Sequence, residues 1–99
     1  MRRWAEQAAQ RHPEVKSIGY FGSYARGDWG VGSDLDIIVI VEHSQESFER
    51  RAARWDTFDL LVPTDLLIYT LAEWEQSPLR PRLQGEIVWV YPPAIDAEP

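Results

Sequence analysis

Eight consecutive residues, Asp34-Leu35-Asp36-Ile37-Ile38-Val39-Ile40-Val41, limit what this chain can fold into more than any other stretch. Strand alternation puts Leu35, Ile37, Val39 and Val41 on one face and Ile38 and Ile40 on the other. A strand apolar on both faces must be covered on both, so this segment predicts a central strand. The same alternation gives Asp34 and Asp36 the face of Ile38 and Ile40, roughly 6.6 Å apart by the rise per residue. Paired carboxylates there repel and lose hydration, a cost that a cation between them relieves.

The elements around this strand follow from local signals. Arg2 to Arg11 has helix-forming composition, puts Trp4, Ala8 and either Ala5 or Ala9 on one face, and is closed by Pro13. Ser17 to Phe21 reads as a short strand entering Gly22-Ser23, after which Gly27, Gly30 and Gly32 mark a loop around Asp28 and Trp29. Ser44 caps an expected helix with Glu46 in its first turn and Phe48, Ala52 and Trp55 as its apolar stripe, ending before Pro63. Asp65 to Tyr69 is a second β-rich run. Thr70-Leu71-Ala72-Glu73 fits a capping box and starts a helix that carries Trp74 inward. Ser77-Pro78 opens another short turn, and Glu86 to Tyr91 is a last strand stopped by Pro92-Pro93. The order predicts an α+β fold, a small mixed sheet with helices packed on it. One domain is expected over residues 1–93, with a loose tail over 94–99.

Composition narrows the function classes. The chain has 99 residues, 44% of them hydrophobic and 26% charged, which suits one globular core. It has no cysteine, which excludes disulfides and thiolate metal sites. Its net charge of −6 argues against broad binding to nucleic-acid backbones or anionic membranes. No apolar run approaches a membrane span, and no hydrophobic signal core follows Met1-Arg2-Arg3. A cytoplasmic protein is expected.

The chemistry gathers on Gly22-Ser23-Tyr24-Ala25-Arg26-Gly27 and Ser33-Asp34-Leu35-Asp36. Hard divalent ions take oxygen ligands, and Mg²⁺ commonly combines carboxylates with substrate phosphates. A strand running into a glycine and a serine that open a short helix offers backbone N–H groups to phosphate oxygens. A phosphate cradle facing paired carboxylates is what phosphoryl or nucleotidyl transfer needs.

These residues resemble the nucleotidyltransferases of the DNA polymerase β superfamily, whose pattern is Gly-Ser, ten intervening residues, then Asp-x-Asp. Here it runs from Gly22-Ser23 to Asp34-Leu35-Asp36 without a gap, and the fuller string looks like the minimal nucleotidyltransferases of bacteria and archaea. The resemblance implies a palm-like fold, two Mg²⁺ ions held by Asp34 and Asp36, and ATP or another nucleoside triphosphate held at Gly22 and Ser23. It implies a third carboxylate on a later strand, for which Asp59 and Asp65 compete; the capping box and tryptophan-bearing helix that follow favour Asp65. That residue would bind the catalytic metal and help deprotonate the acceptor hydroxyl. Arg26 either assists a phosphate or pairs with an acid, and Ser33 either touches nucleotide or buttresses the loop. Proteins of this kind resemble the antitoxin half of two-gene systems whose partner is a small helical HEPN-type protein. Two functions stand against each other: a transferase placing AMP on a partner hydroxyl, and a non-catalytic module that neutralises the partner by contact. Association of like chains is compatible with both.

Other residues have plainer readings. Trp4, Trp55, Trp74 and Trp89 are expected in the core, and His12 and His43 in solvent. The Arg50-Arg51-Arg54 cluster reads as a wet helix face, and Trp29 either stacks on a base or partner or folds back on the domain.

Overall fold

The computed structural model describes residues 2–27, 30 and 33–92, and of Asp59 the backbone alone. Trp29 and the expected tail over 94–99 lie outside the described residues. The chain enters through α1 (Arg2–Arg11), β1 (Val15–Phe21) and the short α2 (Ser23–Arg26), then forms β2 (Leu35–Val41). A crossover containing α3 (Phe48–Arg51) and the 3₁₀ turns Ala52–Arg54 and Phe58–Leu60 leads to β3 (Thr64–Thr70). Then come α4 (Leu71–Gln76), α5 (Leu79–Leu83) and β4 (Val88–Tyr91). The sheet order is β3-β2-β1-β4, with β2 parallel to β3 and β1 antiparallel to both β2 and β4. It is the small mixed sheet that the element order predicts.

β2 is central, and its alternation divides the core into two layers. On one face Leu35, Ile37, Val39 and Val41 pack with Trp4, Ala5 and Ala8 of α1, joined by Ile18, Ile68 and Val90. On the other, Ile38 and Ile40 pack with Trp74 of α4 and Ile87, flanked by Phe21, Tyr69, Leu79 and Leu83. Ile18, Ile37, Ile38 and Val39 are fully buried; each contributes about 1.5–3 kcal/mol by leaving water, so these layers fix the sheet that carries the site. Thr70 and Glu73 form the expected capping box, each side chain bonding the other's backbone N–H.

Five expectations need correction. Ser44 does not cap a long helix: its hydroxyl accepts the Glu46 N–H in a local turn, and α3 starts only at Phe48, after Ser47. Trp55 lies beyond the helical turns in extended backbone, where His12 stacks on it with ring centroids 4.3 Å apart. His12 is thus partly covered, whereas His43 is exposed as expected. Trp89 is 41% exposed rather than core, because β4 is an edge strand. Arg51 is not on a wet face; it is the one charged residue buried among those described. Its guanidinium donates to the Ile68 carbonyl at 2.9 Å, to the Glu46 carbonyl at 3.0 Å and to both Glu73 carboxylate oxygens at 2.6 and 3.0 Å. That fork ties the crossover to the outer edge of β3 and to the start of α4.

Candidate active site

The paired-carboxylate feature forms at one end of the sheet. Asp36 stands opposite Phe21 on β1 and directly opposite Asp65 on β3. In a parallel pair such partners share a face, so Asp65 lies beside Asp36 on the side of Ile38 and Ile40. Of the two candidates for the third acid, Asp65 is the one that the sheet register brings to Asp36. Asp59 belongs to the Phe58–Leu60 turn ahead of β3 and not to a strand; its side chain lies outside the described residues. Asp34 precedes β2 and is exposed.

The half-buried Asp36 carboxyl is pushed above its ordinary range, first by burial, then by the charges of Asp65 and Asp34, with Arg26 opposing. Among the described residues no group of three or more His, Cys, Asp or Glu side chains stands close enough to hold a metal ion. Asp34, Asp36 and Asp65 therefore share one end of the sheet without forming a closed ligand set. The donor set still suits a hard cation: it is all oxygen, and the strain on Asp36 is of the kind a positive ion removes.

Gly22 holds its place for a geometric reason. Its φ of 79° and ψ of −152° are open almost to glycine alone. A Cβ there would come within 2.5 Å of the Asp36 Oδ2. The backbone turn thus passes against the central carboxylate, and its carbonyl accepts the Ala25 and Arg26 N–H groups at 3.0 Å to start α2. Ser23 is the first residue of that helix, which ends at Gly27 with φ 80°. Ser33 buttresses the loop: its hydroxyl accepts the Gly30 N–H at 2.9 Å, and its own N–H returns to the Gly30 carbonyl at 3.0 Å. Arg26 pairs with Glu86 at 3.7 Å. Sequence reasoning missed Glu86, because only the β1–β4 register brings it here.

The domain is thus a mixed sheet with aspartates from two strands at one end and a glycine turn against them. The sequence matches the nucleotidyltransferase domain family over residues 1–89, and the chain belongs to that family. A Sulfolobus solfataricus protein classed as a nucleotidyltransferase shares the fold, with a TM-score of 0.63 and 21% identity over 89% of this chain and 73% of its own. A toxin–antitoxin structure with AMP-PNP shares it at a TM-score of 0.64 and 18% identity, over 98% of this chain and 77% of the other. No curated protein matches the sequence.

Proposed function

We propose that this domain transfers a nucleoside monophosphate, AMP from ATP, to a hydroxyl of a partner protein, as the antitoxin half of a pair with a small helical HEPN-type protein. The observation that carries the reading is the register of Asp36 against Asp65, with the Gly22 backbone pressed on the Asp36 carboxylate. It supplies acids from two strands beside a turn whose backbone can approach phosphate closely.

In this reading Gly22 and Ser23 hold the triphosphate, and Arg26 neutralises part of its charge. Asp34, Asp36 and Asp65 would hold Mg²⁺, which supplies charge neutralisation on the phosphates and lowers the pKa of an oxygen bound to it. Asp65 accepts the proton of the acceptor hydroxyl. The hydroxyl oxygen forms a bond to the α-phosphorus as the bond from that phosphorus to the bridging oxygen breaks. Pyrophosphate leaves with the electron pair of that bond. Positioning and electrostatics carry most of the acceleration in chemistry of this type.

The partner is supported by the surface. Phe58 and Leu61 are 82% and 87% exposed, and Leu61 sits at a φ of 61° that a branched side chain adopts only with strain. Beside them Tyr20, Tyr24, Leu35, Leu60 and Val62 line an open apolar hollow of about 290 Å³ on the sheet face opposite the carboxylates. Exposed apolar groups gathered at one end of a small domain favour contact with another protein. The toxin–antitoxin likeness points the same way. No helix among the described residues is long and apolar enough to cross a membrane, and a cytoplasmic setting fits a nucleoside triphosphate substrate.

The test is incubation with labelled ATP, Mg²⁺ and the product of any neighbouring gene, followed by mass measurement of both proteins. Addition of one nucleoside monophosphate to the partner is expected. Neutralisation of the partner with neither mass changed would favour the contact-only module instead.

A further inference from the structure

The β1–β4 ladder brings a fourth acidic residue to the carboxylate end. Val88 stands opposite Tyr20 and Trp89 opposite Gly19, and Glu86 lies in the turn just ahead of β4, where it pairs with Arg26 of α2. The turn is firmly placed. Glu86 and Ile87 both donate their N–H groups to the Leu83 carbonyl, at 2.8 and 3.0 Å. Ile87 is buried with Ile38, Ile40 and Trp74, so close over β1 that a Cβ on Gly19 would meet its Cγ2 at 2.7 Å. At this end of the domain Asp65 therefore lies beside Asp36, the Gly22 turn lies against Asp36, and Glu86 lies on the turn that enters β4. Arg26 serves both sides of Gly22: it is 3.7 Å from Glu86, and its charge opposes the upward shift of Asp36.

We infer that Glu86 is a positioning residue that competes with the phosphates of the nucleotide for Arg26. This rests on the nucleotide-transfer reading above. The Arg26–Glu86 pair is suited to exchange. At 3.7 Å it is a long contact, and the two side chains are 53% and 46% exposed, so water screens it and little is lost when it opens. A guanidinium forms shorter and stronger charge-assisted bonds with a polyanion such as a triphosphate. Glu86 thus holds Arg26 beside the glycine turn and gives it up when phosphate arrives. Nucleotide affinity is set below what Arg26 alone would provide.

The experiment is a calorimetric titration of wild type, Glu86→Gln, Arg26→Gln and the double variant with two probes, ATP and inorganic tripolyphosphate, each with Mg²⁺. Both sites are at the surface, and melting curves check that each variant folds. Glu86→Gln is expected to tighten both probes about two- to fivefold, the range a screened surface pair can supply. In the transfer assay the same gain should appear in KM. In the Arg26→Gln background the Glu86→Gln gain should vanish, since nothing is left to release. Unchanged or weaker binding by Glu86→Gln overturns the inference and leaves the nucleotide site standing. An equal gain with and without Arg26 also overturns it, because Glu86 would then act as a repelling charge alone. Failure of wild type to bind either probe removes the nucleotide reading and this inference together.

Discussion

Replacing Arg51 with methionine removes the most connected side chain in the crossover while keeping most of its stem. Three losses follow. The Ile68 carbonyl, on the outer edge of β3, loses the partner now 2.9 Å away; a buried acceptor left unpaired costs about 1–3 kcal/mol. The Glu46 carbonyl loses a bond of 3.0 Å but lies nearer water, so about 0.5 kcal/mol is assigned to it. The Glu73 fork is closer, at 2.6 and 3.0 Å, yet the Glu73 side chain is 43% exposed and rehydrates readily; screening reduces that pair to about 0.5–1 kcal/mol. The sum is about 3 kcal/mol, which for a domain of this length lowers the melting midpoint on the order of 10–20 °C. Urea unfolding at pH 7, followed by tryptophan fluorescence, measures it directly. Glu73→Gln is the control: a glutamine still completes the capping box, so only the screened pair is lost, about 1 kcal/mol. An Arg51→Met loss below about 1 kcal/mol, or a Glu73→Gln loss as large as that of Arg51→Met, would refute the ranking of backbone bonds over the exposed ion pair.

The same pair predicts a pH dependence. Hydrogen bonding to Arg51 lowers the Glu73 carboxyl from its ordinary 4.5 to about 2, so its contribution is complete above pH 4.5 and is lost as pH falls toward 2. Wild type should therefore lose more stability over that window than Glu73→Gln; equal losses would contradict it. Asp36 has the opposite sign. Its raised carboxyl costs stability when ionised and costs nothing below its ordinary 3.8. Asp36→Asn should thus be slightly more stable than wild type at pH 7, with the difference closing toward pH 3.8, and should lose Mg²⁺-dependent ATP binding; unchanged affinity would sink the carboxylate site. Gly22→Val should weaken ATP binding more than Ser23→Ala, because its Cβ would strike Asp36 at a φ of 79°, whereas the serine change removes one hydrogen bond of about 1 kcal/mol. A titration in which the serine variant is the weaker binder would reverse the roles of backbone and hydroxyl.

What could be read from sequence was what is encoded locally. The two-sided apolar pattern of β2 set both layers, because alternation along one strand determines which residues face each way. The Thr70–Glu73 box was legible for the same reason, its partners being three residues apart. Arg51 was not, because its bonds run to Ile68 and Glu73, 17 and 22 residues away, and α3 is a four-residue turn that offers no helix face from which to judge exposure. Trp89 was misjudged because alternation gives a residue's face but does not say that its strand lies at an edge. At the site, the glycine turn and Asp36 follow from motif spacing. The partnership of Asp36 with Asp65 needed the parallel register, and Glu86 needed the antiparallel one. Both are tertiary facts.

The proposed transfer requires Asp36 and Asp65, acids from adjacent strands, to work together. The measurement that tests it is a side-by-side comparison of Asp65→Asn and Asp59→Asn for nucleotide binding and for transfer to the partner. Asp65→Asn should lose transfer by a large factor and keep much of its nucleotide affinity, since Asp34 and Asp36 remain. Asp59→Asn should behave as wild type. An active Asp65→Asn beside an inactive Asp59→Asn would contradict the assignment, moving the third acid off β3 and away from Asp36.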